Sequence, residues 1–372
     1  MRRPQRPCVR ALLLATLSPI AACLAPLSTL AQEKPHAGSM VGDPGQMMMP
    51  APVGVPGAGM PPPGKPMLLY SRRTISNDGL IAGDKRVSAE WVVLNAPNPF
   101  APPAQLRRVP LSNTTHIDAL AISYGITSWL SVSASTAYLD KTTRTLTFAG
   151  TSGTARRGIS LDHTEGQGDS RIGANVTLFR GNGQLVHAGL AVSLPTGSIT
   201  ERITPLMPNG QIGNSRAGYT LQLGTGTYDL APALTWVGTR GPIGWGAAYR
   251  GRIALEDAND EGYRVGDQHV VTGWLSYRLT SLLSGSARLE GTSQDKIHGR
   301  DPNISGPGVG TNPENYGGER IDGYLGLHAR GFVPGLGATS LGVELGKPIY
   351  ENANGVHLER DWSAQVSASL RF

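Results

Sequence analysis

From residue 67 onward the chain alternates apolar and polar residues with a period of two, the signature of β-strands that have one face in each of two environments. In the last segment Trp362, Ala364, Val366, Ala368, Leu370 and Phe372 fall on one side, and Ser363, Gln365, Ser367, Ser369 and Arg371 on the other. The pattern recurs at Ile172, Ala174, Val176 and Leu178, opposed by Arg171, Gly173, Asn175 and Thr177. It returns at Leu130–Tyr138, Val186–Leu194, Ile321–Leu327 and Leu341–Leu345. Segments of about 9–13 residues suit tilted membrane strands, whereas strands of soluble sheets run nearer 5–6.

The connections alternate in length. Short ones are expected at Gly125–Ser128, Gly181–Gln184, Thr239–Pro242, Leu279–Ser281 and Val333–Gly337. Long polar ones are expected at about 142–167, 195–227, 256–266, 295–319 and 350–360. Tight turns at one end and long loops at the other are how outer-membrane barrels are built. The fold expected is therefore all-β, a transmembrane antiparallel β-barrel of about 12 strands spanning 67–372. Two segments compete for the first strand, 67–75 and 87–94. Taking 67–75 gives twelve strands and leaves the preceding chain in the periplasm, while counting both gives thirteen. In lipid every backbone N–H and C=O needs an internal partner, which only a helix or a closed barrel supplies.

The first 31 residues change the bulk picture. Arg2, Arg3, Arg6 and Arg10 precede the apolar stretch Ala11–Ala25, and Thr29-Leu30-Ala31 offers small residues for cleavage, so 1–31 reads as a signal peptide of Sec-type export. A competing cut, the lipoprotein pattern Ile20-Ala21-Ala22-Cys23, would acylate Cys23. Both cysteines, Cys8 and Cys23, lie in this leader, so cleavage after Ala31 leaves no thiol chemistry. Removing four arginines and no acids leaves 29 basic against 27 acidic residues, a net +2. The excess positive charge of the full chain is thus partly the leader's and argues for no nucleic-acid partner. Residues 32–66, crowded with Pro, Gly and Met, read as a disordered periplasmic tail.

Three segments carry a resemblance: Gly166-Gln167-Gly168-Asp169, Leu194-Pro195-Thr196-Gly197, and Leu223-Gly224-Thr225-Gly226-Thr227-Tyr228-Asp229. In this order around strand hairpins, over about residues 110–372, they resemble the outer-membrane family named for the meta-pathway of phenol degradation, itself similar to fatty-acid-channel-type transporters. Gln167 stands where that family often has a hydrophobic residue between two glycines. The resemblance implies a barrel that passes small hydrophobic or aromatic compounds.

Candidate site residues follow from the inward set. Arg171, Asn175, Arg250, Arg252, Arg288, Glu290, Asp322, His328, Arg330 and Glu344 are expected to line the lumen. Both signs of charge there would hold water and bias passage; the competing reading is ion pairs that neutralise one another and stiffen a narrow barrel, whose lumen side chains or an inserted segment could occlude. His36, Met40, Met47, Met48, Met49 and Met60 suggest a soft-metal site for Cu(I) in the tail, against a plain flexible tail. Leu194-Pro195 reads as a strand terminator, or alternatively part of a gate, and Asp169 and Asp229 as turn caps. No GxSxG, HExxH or P-loop motif occurs, and Asp162, His163 and Ser170 have no specifying spacing, so no enzyme activity and no cofactor are expected. The expected partners are outer-membrane lipids, a small-molecule solute, and the barrel-assembly machinery through the terminal aromatic Phe372.

Overall fold

A computed structural model describes residues 48–372, except Pro56, Ala58 and 334–336. The expected signal peptide, Cys23 and residues 32–47 of the expected tail lie outside the described residues. Twelve strands of a 14-stranded antiparallel sheet form the barrel wall: β1 (Pro66–Ala82), β2 (Arg108–Gly125), β3 (Leu130–Phe148), β4 (Ser170–Gly181), β5 (Gln184–Leu194), β6 (Asp229–Arg240), β7 (Ile243–Ala254), β8 (Gln268–Arg278), β9 (Leu283–Gln294), β10 (Gly318–Val333), β11 (Gly337–Ala353) and β12 (Val356–Arg371); Lys85–Val87 and Arg156–Gln167 are the other two. Each wall strand pairs with the next, and β1 pairs with β12 from Met67↔Arg371 to Ala82↔Val356, so the sheet closes on itself. Segment 67–75 is therefore the first strand.

The rival segment 87–94 is not a strand. Ala89–Asn95 forms a helix, α1, whose N-cap Ser88 Oγ accepts from the Trp91 N–H at 3.1 Å. Its buried Ala89, Val92 and Val93 recur at helical spacing and pack against Leu106, Val109, Leu146 and Phe148 at the outer rim.

The two faces separate as the alternation requires. Leu120, Ile172, Leu190, Leu275, Leu289 and Leu325 are exposed on the outer face, Leu325 at 72%. Exposed aromatics bracket this apolar band: Tyr124, Trp129, Phe179 and Tyr277 near the tight turns, Tyr138, Tyr228 and Trp362 farther up. Inward positions are Ser131, Thr235, Thr272, Ser284 and Ser363, all buried. The turn between β4 and β5 shows how the sequence sets the register. Asn182 (φ 50°) and Gly183 (φ 70°) take the left-handed conformations that a two-residue hairpin needs. Proline sits where the ladder is broken: Pro110 and Pro348 flank register shifts, and pairing of β6 with β7 lapses at Pro232.

Two of the loops expected to be long are strands instead. Much of 142–167 is a hairpin, because β3 continues to Phe148 and strand Arg156–Gln167 returns along it. Segment 350–360 is also a hairpin, with only Asn354 and Gly355 between β11 and β12. Both extensions rise beyond the apolar band. There Leu146, Phe148, Val356 and Leu358 turn to the cluster around α1 instead of the outer band, so the continuous alternation that marks a membrane strand is lost.

Val366 lies on the outer face at 53% exposure, between Trp362 and Phe372. Val366→Arg is expected to destabilise the vesicle-folded barrel by about 2–4 kcal/mol, read by denaturant unfolding. An unchanged midpoint would mean that this face does not meet lipid.

Candidate functional site: an occluded lumen

The lumen is not empty. Residues 48–64 were expected in a periplasmic tail, but the described part of them runs inside the barrel without regular secondary structure. The physical reason is complementarity: this Pro- and Gly-rich strip carries apolar side chains at Met48, Ala51 and Val55, and the lumen holds an apolar patch. Val55 is buried against Val237, Ala248 and Trp274, with Met48 and Ala51 packed beside it. The strip's backbone groups then find polar partners on the wall. Met49 N–H donates to Thr239 Oγ1 at 2.8 Å, and Arg330 donates to Met48 O at 2.9 Å. His187 Nε2 lies 2.8 Å from Gly57 O, and Thr177 Oγ1 lies 3.0 Å from Met60 Sδ. Gly64 N–H donates to Gly125 O at 2.8 Å, where the strip joins β1 at the tight-turn end.

Gly54 marks the deepest attachment. Its N–H donates to Glu344 Oε2 at 3.1 Å and its carbonyl accepts from Arg250 at 3.2 Å. A side chain at Gly54 would collide with Arg288 and Glu344, so glycine is needed for close approach.

The groups that receive Gly54 form a charged layer across the barrel. Arg288 grips Glu344 with two bonds, at 2.9 and 2.7 Å, and Glu290 with a third at 2.6 Å. Arg250 reaches Glu290 at 3.1 Å, and the Arg288 guanidinium lies 3.8 Å above the Tyr324 ring. Beside them Arg320 pairs with Asp322 at 2.7 Å. Glu344, Arg288, Asp322 and Glu290 are all buried. A carboxylate there would be costly unpaired, so the ion pairs and the glycine strip complete one another.

Of the other inward candidates, Arg252 reaches Asp229 at 3.5 Å. Arg171 sits opposite Ser193, which itself pairs with Asp229, and Asn175 lies opposite Ser131 and Gly189. Both ring nitrogens of His328 are buried without a hydrogen-bond partner. The inward alternation located these groups; nothing in the sequence marked Gly54, His187, Thr239, Trp274 or Tyr324 as the contacts of an inserted strip.

The methionines do not form one cluster. Met49 packs on Gly244 of β7 and Met60 on Thr177 of β4, three strands away; His36, Met40 and Met47 lie outside the described residues. A group of His and carboxylates exists elsewhere, on the outer face of the β3 hairpin: His163 Nε2 is 3.3 Å from Asp140 Oδ1, with Glu165 beside them. The residues weighed for catalysis separate. Asp162 is buried against Arg108 at 2.7 Å and Thr145 at 2.7 Å, whereas its neighbour His163 is on the opposite face, and the Ser170 hydroxyl bonds Thr136 and Thr196.

The three motifs converge on one junction. Strand β3 pairs with β4 only over Leu130–Ser135, then exchanges β4 for Arg156–Gln167. Asp169 stands at this parting. Its carboxylate accepts from Gly197 N–H (3.0 Å), Thr225 N–H (2.8 Å) and Thr225 Oγ1 (3.0 Å). Thr196 Oγ1 donates to Gly168 O at 2.9 Å, and Gly197 leaves no room for a side chain against Gly224. Asp169 thus ties three loops rather than capping its own turn. Asp229 accepts from Thr227 Oγ1 at 2.7 Å. In the neighbouring loop the Tyr263 hydroxyl is buried without a partner, and burial pushes its ionisation up.

No protein-family model matches this sequence, and no curated protein does. Among solved structures the chain is similar to the COG4313 outer membrane channel from Pseudomonas putida F1, at 12% identity and TM-score 0.53 over 86% of this chain and 99% of that one. That likeness shows the fold. Looser likenesses are to the CymD monoaromatic hydrocarbon channel (9% identity, TM-score 0.42, 84% and 89% covered) and a Pseudomonas aeruginosa FadL homologue (10%, 0.41, 83% and 90%); at these scores they carry no argument.

Asp169→Ala would leave two backbone N–H groups without their acceptor, a loss of about 1–3 kcal/mol each when buried. The expected outcome is faster tryptic cleavage at Arg202 and Arg216 in the folded barrel, with the barrel itself intact by heat-modified gel mobility. Unchanged cleavage would show that Asp169 does not hold the junction.

Proposed function

We propose that this protein is an outer-membrane channel for small molecules whose passage is blocked at rest by its own residues 48–64. The observation that carries the reading is the attachment of Gly54 to Glu344 and Arg250 inside a closed twelve-stranded barrel. The outer face supports membrane insertion: a continuous apolar band faces outward between aromatic residues. The inner face supports transport rather than a filled structural core. The wall there is largely polar, and the strip enters from the tight-turn end, reaches Gly54 and returns without being woven into the sheet as a strand.

The tethers suit a reversible block. Each is one hydrogen bond, worth about 0.5–1.5 kcal/mol, or 1.5–3 where a charged group takes part. Arg288, Glu290 and Glu344 keep one another paired when the strip withdraws, so opening does not strand the charges of this layer. The hydrophobic or aromatic class of solute is what the three motifs imply by resemblance, and we read the chain as a distant relative of that phenol-degradation-linked family on the same ground. Metal capture by the methionines is a weaker reading, since Met49 and Met60 are engaged with different strands.

Deleting residues 48–60 is expected to raise single-channel conductance several-fold in planar bilayers. Gly54→Leu, which drives a side chain into Arg288 and Glu344, is expected to raise the open fraction with the strip still attached. Conductance equal to wild type in both variants, with both barrels shown to be folded, would overturn the block.

A further inference from the structure

Above the charged layer the lumen widens into a cavity of about 330 Å³. Its walls are the upper, inward parts of β1, β2, β8–β12. Its roof is the loop 295–317, which is anchored by Arg107 and Arg108 N–H groups donating to Pro307 O and by Asn315 Oδ1 accepting from Val356 N–H. The volume falls at the lower end of the ~300–1,000 Å³ typical of small-molecule sites.

The lining is unusual in its chemistry. Asn77, Asn113, Gln268, Gln294, Asn312 and Asn315 surround it; Asn77 donates to Asn113 Oδ1 at 3.3 Å, Asn315 donates to Val309 O at 3.1 Å, and Gln268 Nε2 donates to Gln294 Oε1 at 3.0 Å, which leaves the Gln294 amide N–H groups facing the cavity as donors. Charged groups at the cavity are already engaged: Arg320 with Asp322 at 2.7 Å, and the Glu351 carboxylate with the Arg360 N–H at 2.9 Å. Two buried polar atoms of the lining are unspent. Arg360 donates through Nε to Asn77 Oδ1 at 2.9 Å, yet its Nη1 has no partner, and His357 Nε2 has none either. A guanidinium N–H in this position favours an acceptor oxygen beside it. Apolar surface from Ile75, Val309 and Leu358 lies beside these groups.

We propose that this vestibule is a binding site for a small uncharged molecule that carries a hydroxyl or carbonyl oxygen next to an apolar ring or short chain. The oxygen accepts from Arg360 and from the Gln294 amide, while the apolar part rests on Ile75, Val309 and Leu358. Glu319 and Glu351 balance Arg320 and Arg360 in the same lining, so the vestibule presents no net charge to draw in an ion. The inference deepens the channel reading and rests on it: the site would hold solute on the outer side of the charged layer.

The test compares benzyl alcohol with toluene, which share a ring and differ by one hydroxyl. Binding to the full-length protein in lipid nanodiscs is measured by equilibrium dialysis, with empty nanodiscs subtracted. Benzyl alcohol is expected to bind saturably. Arg360→Met and Gln294→Leu are expected to weaken it by at least about tenfold, as loss of a hydrogen bond to a charged or buried group implies, and to leave toluene binding unchanged. Heat-modified gel mobility verifies that each variant is folded, and two variants from different strands guard against one failing to fold. Equal binding of the two compounds, no saturable binding, or no change in either variant would overturn the site. Conductance of the form lacking 48–60 separates the failures: a conducting barrel without saturable binding sinks the vestibule alone, whereas a barrel that never conducts sinks the channel reading.

Discussion

The structure depends on one constraint, that a sheet crossing lipid must leave no backbone hydrogen-bonding group without a partner. Pairing of β1 with β12 meets it by removing both edges at once. Closure then dictates the rest. Side chains that alternate along each strand are sorted into an outer apolar wall and an enclosed polar interior, and whatever stands inside must be satisfied without bulk water on every side.

The interior answers that demand in layers. Near the tight turns the apolar patch of Val237, Ala248 and Trp274 takes up Val55 of the inserted strip. At mid-height Arg288 and Arg250 share Glu290 and Glu344 and receive the backbone of Gly54. Higher still, amides and the unpartnered Arg360 Nη1 surround a cavity under the roof loop. Block, charged layer and vestibule thus lie in sequence along one axis, with Asp169 and its three loops sealing the place where β3 and β4 part.

The wall was legible in the sequence because its period is two and each face has a fixed environment. Trp362 to Phe372 show this plainly, and so do the tight turns, where Asn182-Gly183 names its own conformation. Legibility failed where the environment changed. Beyond the apolar band, β3 past Tyr138 and the β11–β12 hairpin are mostly polar, with only Leu146, Phe148, Val356 and Leu358 turned to the cluster around α1, and they resemble loops. Segment 87–94 has an apolar rhythm that also fits a strand, and the Ser88 cap decides for a helix. The inserted strip was illegible for another reason. Proline and glycine mark chain without regular structure, but they do not distinguish chain surrounded by water from chain surrounded by a barrel. Inward charges such as Arg288 and Glu344 were predictable by parity, but their mutual pairing depends on strands separated in sequence by 56 residues.

Closure is tested most directly by cross-linking the two ends of the sheet. Ser71 and Ser367 face each other across β1 and β12. A variant carrying Ser71→Cys and Ser367→Cys, with Cys8 and Cys23 replaced by serine, should form an intramolecular disulfide in vesicle-folded protein. Moving the second cysteine by one residue, with Ala368→Cys, points it to the opposite face and should abolish the bond. No cross-link in the first variant, or equal cross-linking in both, would contradict a barrel closed in this register.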